Sequence, residues 1–298
     1  MTDSQQHYLL IINGKSAGNP ALREAVNEQR QAGMQITVRA TWEGGDAADI
    51  AELSDTMGIT HVIACGGDGT VSEVMNGLMR LPHDRRPALG IVPLGSANDF
   101  ATSVGLPLEP GPALAAARAL SAYPIDVVRV TAGAGGESAT SYYINMGGGA
   151  YSLMGALKAW RHRSYRGTLH WDEKEESASL LLLALGNGRQ SGGGQVLGPR
   201  AKLDDGRLDV LLVKDFSSVT ELSKLISELQ SFPSEGRFVR YFTTTQLTLT
   251  TQAGDPPWPL TLDGEARCYD HFCAEVVPLV LRVLLPEECP LLSSSNQP

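Results

Sequence analysis

The apolar run Val62-Ile63-Ala64-Cys65 ends directly in Gly66-Gly67-Asp68-Gly69-Thr70, and a helix-like segment from Val71 to Met79 follows. A buried strand that feeds a glycine turn and then a helix is the repeating unit of a parallel α/β sheet. Glycines without Cβ let backbone N–H groups approach a phosphate closely. The helix N-terminus that follows adds partial positive charge at the same place. Asp68 sits inside the turn. A lone carboxylate beside phosphates is repulsive unless a cation stands between them, so the turn points to a metal-nucleotide site. Taken alone, it could equally be a glycine-rich connection with no ligand. A second apolar run, Ala88 to Val92, ends in Pro93-Leu94-Gly95-Ser96-Ala97-Asn98-Asp99-Phe100. Two polar glycine loops after consecutive strands exceed what packing requires, because buried loops otherwise avoid polar groups.

The same alternation extends back to the N-terminus. Tyr8 to Ile12 reads as a strand. Asn19-Pro20 reads as N-cap and first turn of a helix to Gln31, ended by Gly33. Gln35 to Ala40 is a second strand, Asp46 to Thr56 a second helix stopped at Gly58, His61 to Ala64 the third strand and Ala88 to Val92 the fourth. Such alternation predicts a parallel sheet with helices on both faces and ligands outside the carboxyl ends of its strands. The loops there, 13–18, 41–45, 66–70 and 93–99, are all rich in Gly, Asn, Ser, Thr or Asp.

From Asp126 the character changes. Asp126 to Val130, Ser141 to Met146, Leu180 to Leu185, Leu208 to Val213, Gln246 to Thr251 and Glu275 to Val277 read as strands, with Thr220 to Leu229 as a helical interlude. The expected architecture is α/β: an N-terminal Rossmann-like nucleotide domain over 1–124, joined by the tail 284–298, and a β-sandwich-like domain over 125–283. The tail after Val283 is expected to be extended and polar at its end.

The 298 residues, 42% of them hydrophobic, allow two domains or one large one. A net charge of −9 and a pI of about 5.2 argue against nucleic acid, which needs a basic footprint, and against attraction to anionic membrane by overall charge. No apolar run is long enough for a transmembrane helix, and the polar segment Met1 to His7 has no signal core. Cysteines 65, 268, 273 and 289 show no CxxC pairing, which fits a reducing cytoplasm without a zinc or disulfide framework. Nothing in the sequence fixes an oligomeric state.

Four leads carry no chemistry. Gly14-Lys15-Ser16 imitates the end of a P-loop, but the required earlier glycine is Leu9. Gly147-Gly148-Gly149 lacks dinucleotide-fingerprint spacing. The six histidines show no metal-ligand spacing. Cys65 reads as a small buried residue rather than a nucleophile.

Two segments of the second domain carry acids. In Leu262-Asp263-Gly264-Glu265, an extended chain would put Asp263 and Glu265 on one face, suiting metal binding or general-base work. A plain Asp-Gly hairpin turn is the other reading. Lys202-Leu203-Asp204-Asp205-Gly206-Arg207-Leu208 offers a carboxylate with loop carbonyls, a hard-cation site for Mg²⁺ or Ca²⁺, or again an Asp-Gly turn.

Taken in order, Gly66 to Thr70, Gly95 to Phe100, Gly186-Asn187-Gly188-Arg189-Gln190, Asp204-Asp205-Gly206-Arg207-Leu208-Asp209 and Leu262 to Glu265 resemble the diacylglycerol-kinase catalytic superfamily, and within it the bacterial YegS-type lipid kinases. The resemblance implies an ATP-dependent lipid kinase with ATP in a cleft between two domains, acting on phosphatidylglycerol, diacylglycerol or a related lipid at the inner membrane surface. It implies nucleotide contacts from Thr41, from Gly66 and Gly67 through Asp68, Gly69, Thr70, Val71, Ser72 and Glu73, and from Ser96, where the family usually carries Thr. It implies Glu265 as proton acceptor with Asp263 beside it. A structural Mg²⁺ would be held by Asp205 and the carbonyls of Lys202 and Arg207, and Asp68 and Asp99 are candidates for the catalytic Mg²⁺.

The stretch 147–179 is shorter than the family's. Within it, Lys158 to Arg166 mixes basic and aromatic residues and suits transient docking on anionic lipid, or a solvated loop balanced by Asp172 to Glu176. A kinase for a soluble substrate such as NAD or a sugar phosphate fits the β-rich second domain poorly. A non-catalytic nucleotide- or lipid-binding sensor of the same fold is the remaining alternative, although Asp68, Asp263 and Glu265 are all retained.

Overall fold

The computed structural model describes residues 6–134, 137–149, 165–216, 218–251, 254–262 and 265–293. The chain forms two compact units, residues 1–126 with 278–298, and residues 127–277.

In the first unit, β1 (His7–Ile12), β2 (Gln35–Ala40), β3 (His61–Gly66) and β4 (Ala88–Pro93) form a parallel sheet in the order β4-β3-β1-β2. Helix α1 (Pro20–Gln31) begins where the Asn19 side chain accepts from the Leu22 amide at 3.1 Å. Tyr8, Leu10 and Ile12 share a core with Leu22, Ala25 and Val26 of α1 and with Ala113, Leu114 and Ala117 of α5 (Pro110–Ala119). The intervening Leu9 and Ile11 are also fully buried, and α2 (Asp46–Glu52) and α3 (Asp68–Met79) pack on β1 and β3. Burial on both faces is why β1, β3 and β4 read as nearly unbroken apolar runs, whereas the edge strand β2 does not.

Three boundaries differ from the sequence reading. Helix α2 ends at Glu52, not Thr56, because the Ser54 hydroxyl turns back to the Ala51 carbonyl and a 3₁₀ turn over Asp55–Met57 follows. Helix α3 begins at Asp68, three residues before Val71, so most of the glycine turn is already helical. The tail is not simply extended. β17 (His271–Leu285) pairs in parallel with β4 at Val283 and Leu89, and turns beyond it bury Cys289, Leu291 and Leu292.

The second unit is antiparallel and β-sandwich-like. β5 (Ser121–Ala134) pairs with β6 (Glu137–Tyr143). The long β9 (Lys174–Gly186) pairs with β8 (Tyr165–Trp171) through its first half, and with β7 (Asn145–Gly149) and β12 (Leu208–Lys214) through its second. Between β9 and β12 in the chain, the short β10 (Gln190–Ser191) and β11 (Gln195–Val196) pair with each other. β12 continues to β13 (Val239–Thr244), and β14 (Gln246–Thr250) joins β8 to the start of β17. Leu183 and Leu185 of β9 face the main core with Leu208, Val210 and Leu212. Their neighbours Leu182 and Ala184 face α6 (Val219–Ser231) through Leu225 and Leu229. The expected strand Ser141 to Met146 is interrupted at Ile144, and β8 and β13 were not foreseen.

Candidate active site

β1 lies between β2 and β3, so the chain leaves it first to one side and then to the other. Ligands of open α/β sheets enter at such a switch point, outside the carboxyl ends of the strands. The glycine turn stands there. Gly67 is the N-cap of α3 and among the described residues no side chain caps that helix, so the amides of its first turn keep their hydrogen-bonding capacity. A Cβ on Gly66 would lie 2.3 Å from Thr70 Oγ1, so Thr70 fills the space a side chain would need. Asn13 Nδ2 donates to that hydroxyl at 3.2 Å. Ser72 Oγ is buried and has no hydrogen-bond partner among the described residues. Glu73 Oε2 accepts from the Gly45 amide at 3.2 Å, and the Gly14 amide donates to Thr41 Oγ1 at 3.0 Å.

The second glycine loop lies directly against the first. The Leu94 amide donates to the Gly66 carbonyl at 2.9 Å, and a Cβ on Gly95 would stand 2.5 Å from Gly67 Cα. Asn98, in the left-handed region at φ 53°, brackets Gly95 by accepting from its amide at 2.9 Å and donating to its carbonyl at 2.8 Å. Ser96 is exposed at the tip of this loop.

Asp68 ties the loops together. Its two carboxylate oxygens accept from the amides of Asp99 at 3.1 Å and Phe100 at 3.2 Å, which open α4 (Asp99–Ser103). Asp68 is therefore already engaged as the cap of α4, and each oxygen keeps a lone pair for a further partner. Asp99 is buried. The structure thus gathers Thr41, Gly66 through Glu73 and Ser96 on one rim.

In the second unit, Lys202, Asp205 and Arg207 share the loop before β12. Asp205 Oδ1 accepts from the Arg207 amide at 3.0 Å, while the Arg207 guanidinium is bound to Thr243 of β13. Desolvation raises the Asp205 carboxyl above its ordinary range; the Arg207 amide opposes this and Asp204 adds to it. Asp209, 3% exposed, is pushed up to about 6, chiefly by burial, although the Tyr241 hydroxyl donates to it. Its Oδ2 is buried and without a hydrogen-bond partner among the described residues. Both shifts come chiefly from burial, with Arg207 opposing each, and it is the Asp205 carboxylate beside the loop carbonyls that makes an oxygen donor set of the kind a hard cation takes. Among the described residues no three His, Cys, Asp or Glu side chains cluster for a metal.

The paired acids separate into two cases. β15 (Trp258–Leu262) and β16 (Glu265–Tyr269) are antiparallel with Leu262 opposite Glu265, so the hairpin reading of this segment holds. Glu265 opens β16; Asp263 lies outside the described residues. So does most of the basic-aromatic segment, apart from Tyr165 and Arg166 at the start of β8. The acids expected to balance it have partners of their own. Glu176 pairs with Lys214 and Arg240, Glu175 with His170, and Asp172 accepts from the Thr244 hydroxyl. Cys65 is fully buried, and burial pushes its thiol up, which suits packing and not nucleophilic attack.

Sequence reasoning placed the loops 13–18, 41–45 and 93–99 at this rim but assigned no individual role to Asn13, Asn98 or the solvent-facing Trp42. Asn13 carries a local signal as the first residue past β1. Among the described residues no helix is long and apolar enough to cross a membrane.

The diacylglycerol kinase catalytic domain matches residues 7–130, and the YegS C-terminal NAD kinase β-sandwich-like domain matches residues 129–285. A protein of Chromohalobacter salexigens described as "Probable lipid kinase YegS-like" is 46% identical over 305 aligned positions, covering 95% of this chain and 94% of that protein. One of the same description from Xanthomonas axonopodis pv. citri is 38% identical, covering 96% and 98%. The crystal structure of a diacylglycerol kinase from Bacillus anthracis shares the fold with a TM-score of 0.74 at 22% identity, covering 95% of this chain and 98% of that one. With both domain matches spanning nearly its whole length, the chain belongs to the YegS-like family of lipid kinases.

Proposed function

We propose that the protein transfers the γ-phosphoryl group of ATP to a primary hydroxyl of a glycerolipid headgroup, of the phosphatidylglycerol or diacylglycerol type. The observation that carries this reading is the pair of glycine turns packed backbone to backbone ahead of the uncapped N-terminus of α3. Phosphates of ATP would accept from the amides at the start of α3, Gly67 through Thr70, ahead of the Val71 amide that is bound to the Gly67 carbonyl, and Thr41 and Ser96 would add hydroxyl donors. A protein of net charge −9 needs such dipoles, together with a cation, to meet a triphosphate. Bound Mg²⁺ would supply charge neutralisation there, held by Asp68 and Asp99. Asp205 with the carbonyls of Lys202 and Arg207 would hold a structural Mg²⁺ or Ca²⁺. Glu265, with Asp263 beside it, takes the proton as the lipid hydroxyl oxygen bonds to the γ-phosphorus and ADP leaves. The protein would work in the cytoplasm and touch the membrane transiently to reach its acceptor. The description "Probable lipid kinase YegS-like" carried by its relatives supports a lipid as the acceptor.

The test is transfer of label from γ-labelled ATP, with Mg²⁺, into mixed micelles of diacylglycerol, phosphatidylglycerol, ceramide or no lipid. Label in one glycerolipid is expected. ATP binding with no label in any lipid would replace the kinase reading by a nucleotide-binding sensor.

A further inference from the structure

Trp42 is 95% exposed, the largest exposure among the large apolar side chains described. Tryptophan is highly buried on average, so an indole held wholly in water calls for a ligand or partner. The loop that carries it is fixed on both sides. The amides of Trp42 and Glu43 donate to Asp46 Oδ2 at 2.6 and 3.0 Å. The Thr41 amide donates to the Ile12 carbonyl at 2.9 Å, and Thr41 Oγ1 accepts from the Gly14 amide. Beyond the indole, the Gly45 amide is bound to Glu73 of α3. The ring is therefore presented from a backbone anchored to β1, to the turn after it and to the helix that follows the glycine turn.

Its position suits one half of a nucleotide. Trp42 lies past the carboxyl end of β2, the strand beyond β1 from β3. Two strand spacings, about 10 Å, separate that end from the glycine turn after β3. A nucleoside triphosphate can bridge this gap with its phosphates at α3 and its base over β2. The acidic residues of the indole's own loop are Glu43 and Asp46, the latter bound to the Trp42 and Glu43 amides. They disfavour phosphates and tolerate an uncharged base. The same acids oppose insertion of the ring into an anionic bilayer, the other common use of an exposed tryptophan.

We propose that Trp42 is the stacking platform for the adenine of the bound nucleotide. The proposal rests on the ATP reading above and adds to it the residue that recognises the base. Aromatic stacking on a base is worth roughly 5- to 100-fold in affinity on truncation to alanine.

The test is calorimetric titration of wild type, Trp42→Ala and Trp42→Phe with ATP and with inorganic tripolyphosphate, both with Mg²⁺. Trp42→Ala is expected to bind ATP roughly 5- to 100-fold more weakly and tripolyphosphate as well as wild type does. Trp42→Phe should stay within a few-fold of wild type for both. Unchanged ATP affinity in Trp42→Ala overturns the proposal, as does an equal loss for both ligands, which would mean the loop was damaged. Loss of co-sedimentation with phosphatidylglycerol vesicles, with ATP affinity kept, would reassign the indole to the membrane and also overturns it. Wild-type protein that binds no ATP would instead remove the reading on which the proposal stands.

Discussion

Asn13 and Thr70 join the two turns that flank the reversal point of the parallel sheet, Asn13 Nδ2 donating to Thr70 Oγ1 at 3.2 Å. The other amide atom of Asn13, Oδ1, accepts from the Lys15 amide at 3.0 Å and shapes the turn after β1. One side chain thus couples the turns after β1 and β3. Because the Thr70 hydroxyl accepts from Asn13, its own proton remains for a second partner.

Replacing Asn13 with Ala, or Thr70 with Val, is expected to cost about 1 kcal/mol of stability and to raise KM for ATP several-fold with little change in kcat. Thr70→Ser, which keeps the hydroxyl, should stay near wild type. Urea unfolding and ATP titration of the kinase rate read the two effects. An unchanged KM in both Asn13→Ala and Thr70→Val would detach this link from nucleotide binding.

Gly67 and Gly95 approach so closely that a side chain at Gly95 would meet the backbone of the other loop. A Cβ on Gly95 would be 2.5 Å from Gly67 Cα and 2.9 Å from Asn98 Oδ1. The nearest obstacle is backbone, which cannot swing aside. Gly95→Ala is expected to lose about 1–3 kcal/mol and to weaken ATP binding as the loops are forced apart. Gly18→Ala, where nothing lies within 4 Å of the added carbon, serves as the control and should change stability by less than about 0.5 kcal/mol. Equal midpoints for the two variants would refute the close approach.

The parts legible in the sequence were those with local punctuation. Helix α1 and strand β2 fall on the expected residues because Asn19-Pro20 starts the helix and Gly33, at φ 90°, stops it. The glycine turn after β3 was legible for the same reason. What escaped depends on distant partners. β17 was visible only as Glu275 to Val277, yet it runs for 15 residues, pairing first with β14 and then with β4. It passes Pro278 and a left-handed Leu279 whose amide donates to Asp126 Oδ1 at 2.8 Å. β13 was missed because charged and half-buried residues interrupt its pattern. At the candidate site, the glycines and acids could be read, but the bond from Asp68 to the first turn of α4 could not, since 31 residues separate its ends.

That bond separates Asp68 from Glu265 experimentally. Asp68→Asn replaces an oxygen that accepts from a backbone amide by an NH₂ group that cannot, so a donor faces a donor. Stability is expected to fall by about 1–3 kcal/mol, together with activity. Glu265→Gln should leave the melting temperature unchanged and lower kcat by roughly 100- to 10,000-fold with ATP affinity nearly intact. Calorimetry beside single-turnover kinetics distinguishes them. Wild-type turnover in Glu265→Gln would remove Glu265 from proton transfer, and an unchanged melting temperature in Asp68→Asn would deny it the capping role.

His61 gives the first unit a pH dependence with a definite sign. Its ring stacks on Tyr8, with centroids 4.7 Å apart, and its Nδ1 lies 2.8 Å from Thr60 Oγ1. Burial, and secondarily the positive charge of Arg282, lower its pKa below the ordinary histidine value of 6.5. The folded protein therefore prefers the neutral ring more strongly than the unfolded chain does. The resulting stability is fully present above pH 6.5 and is lost as pH falls through the lower, folded-state value. His61→Phe keeps the stack on Tyr8 and removes the titration. The urea midpoint of wild type should drop more steeply below neutrality than that of His61→Phe, with the two curves converging on the acid side after correction for a constant offset. Parallel curves throughout would show that His61 does not contribute to the acid sensitivity of the fold.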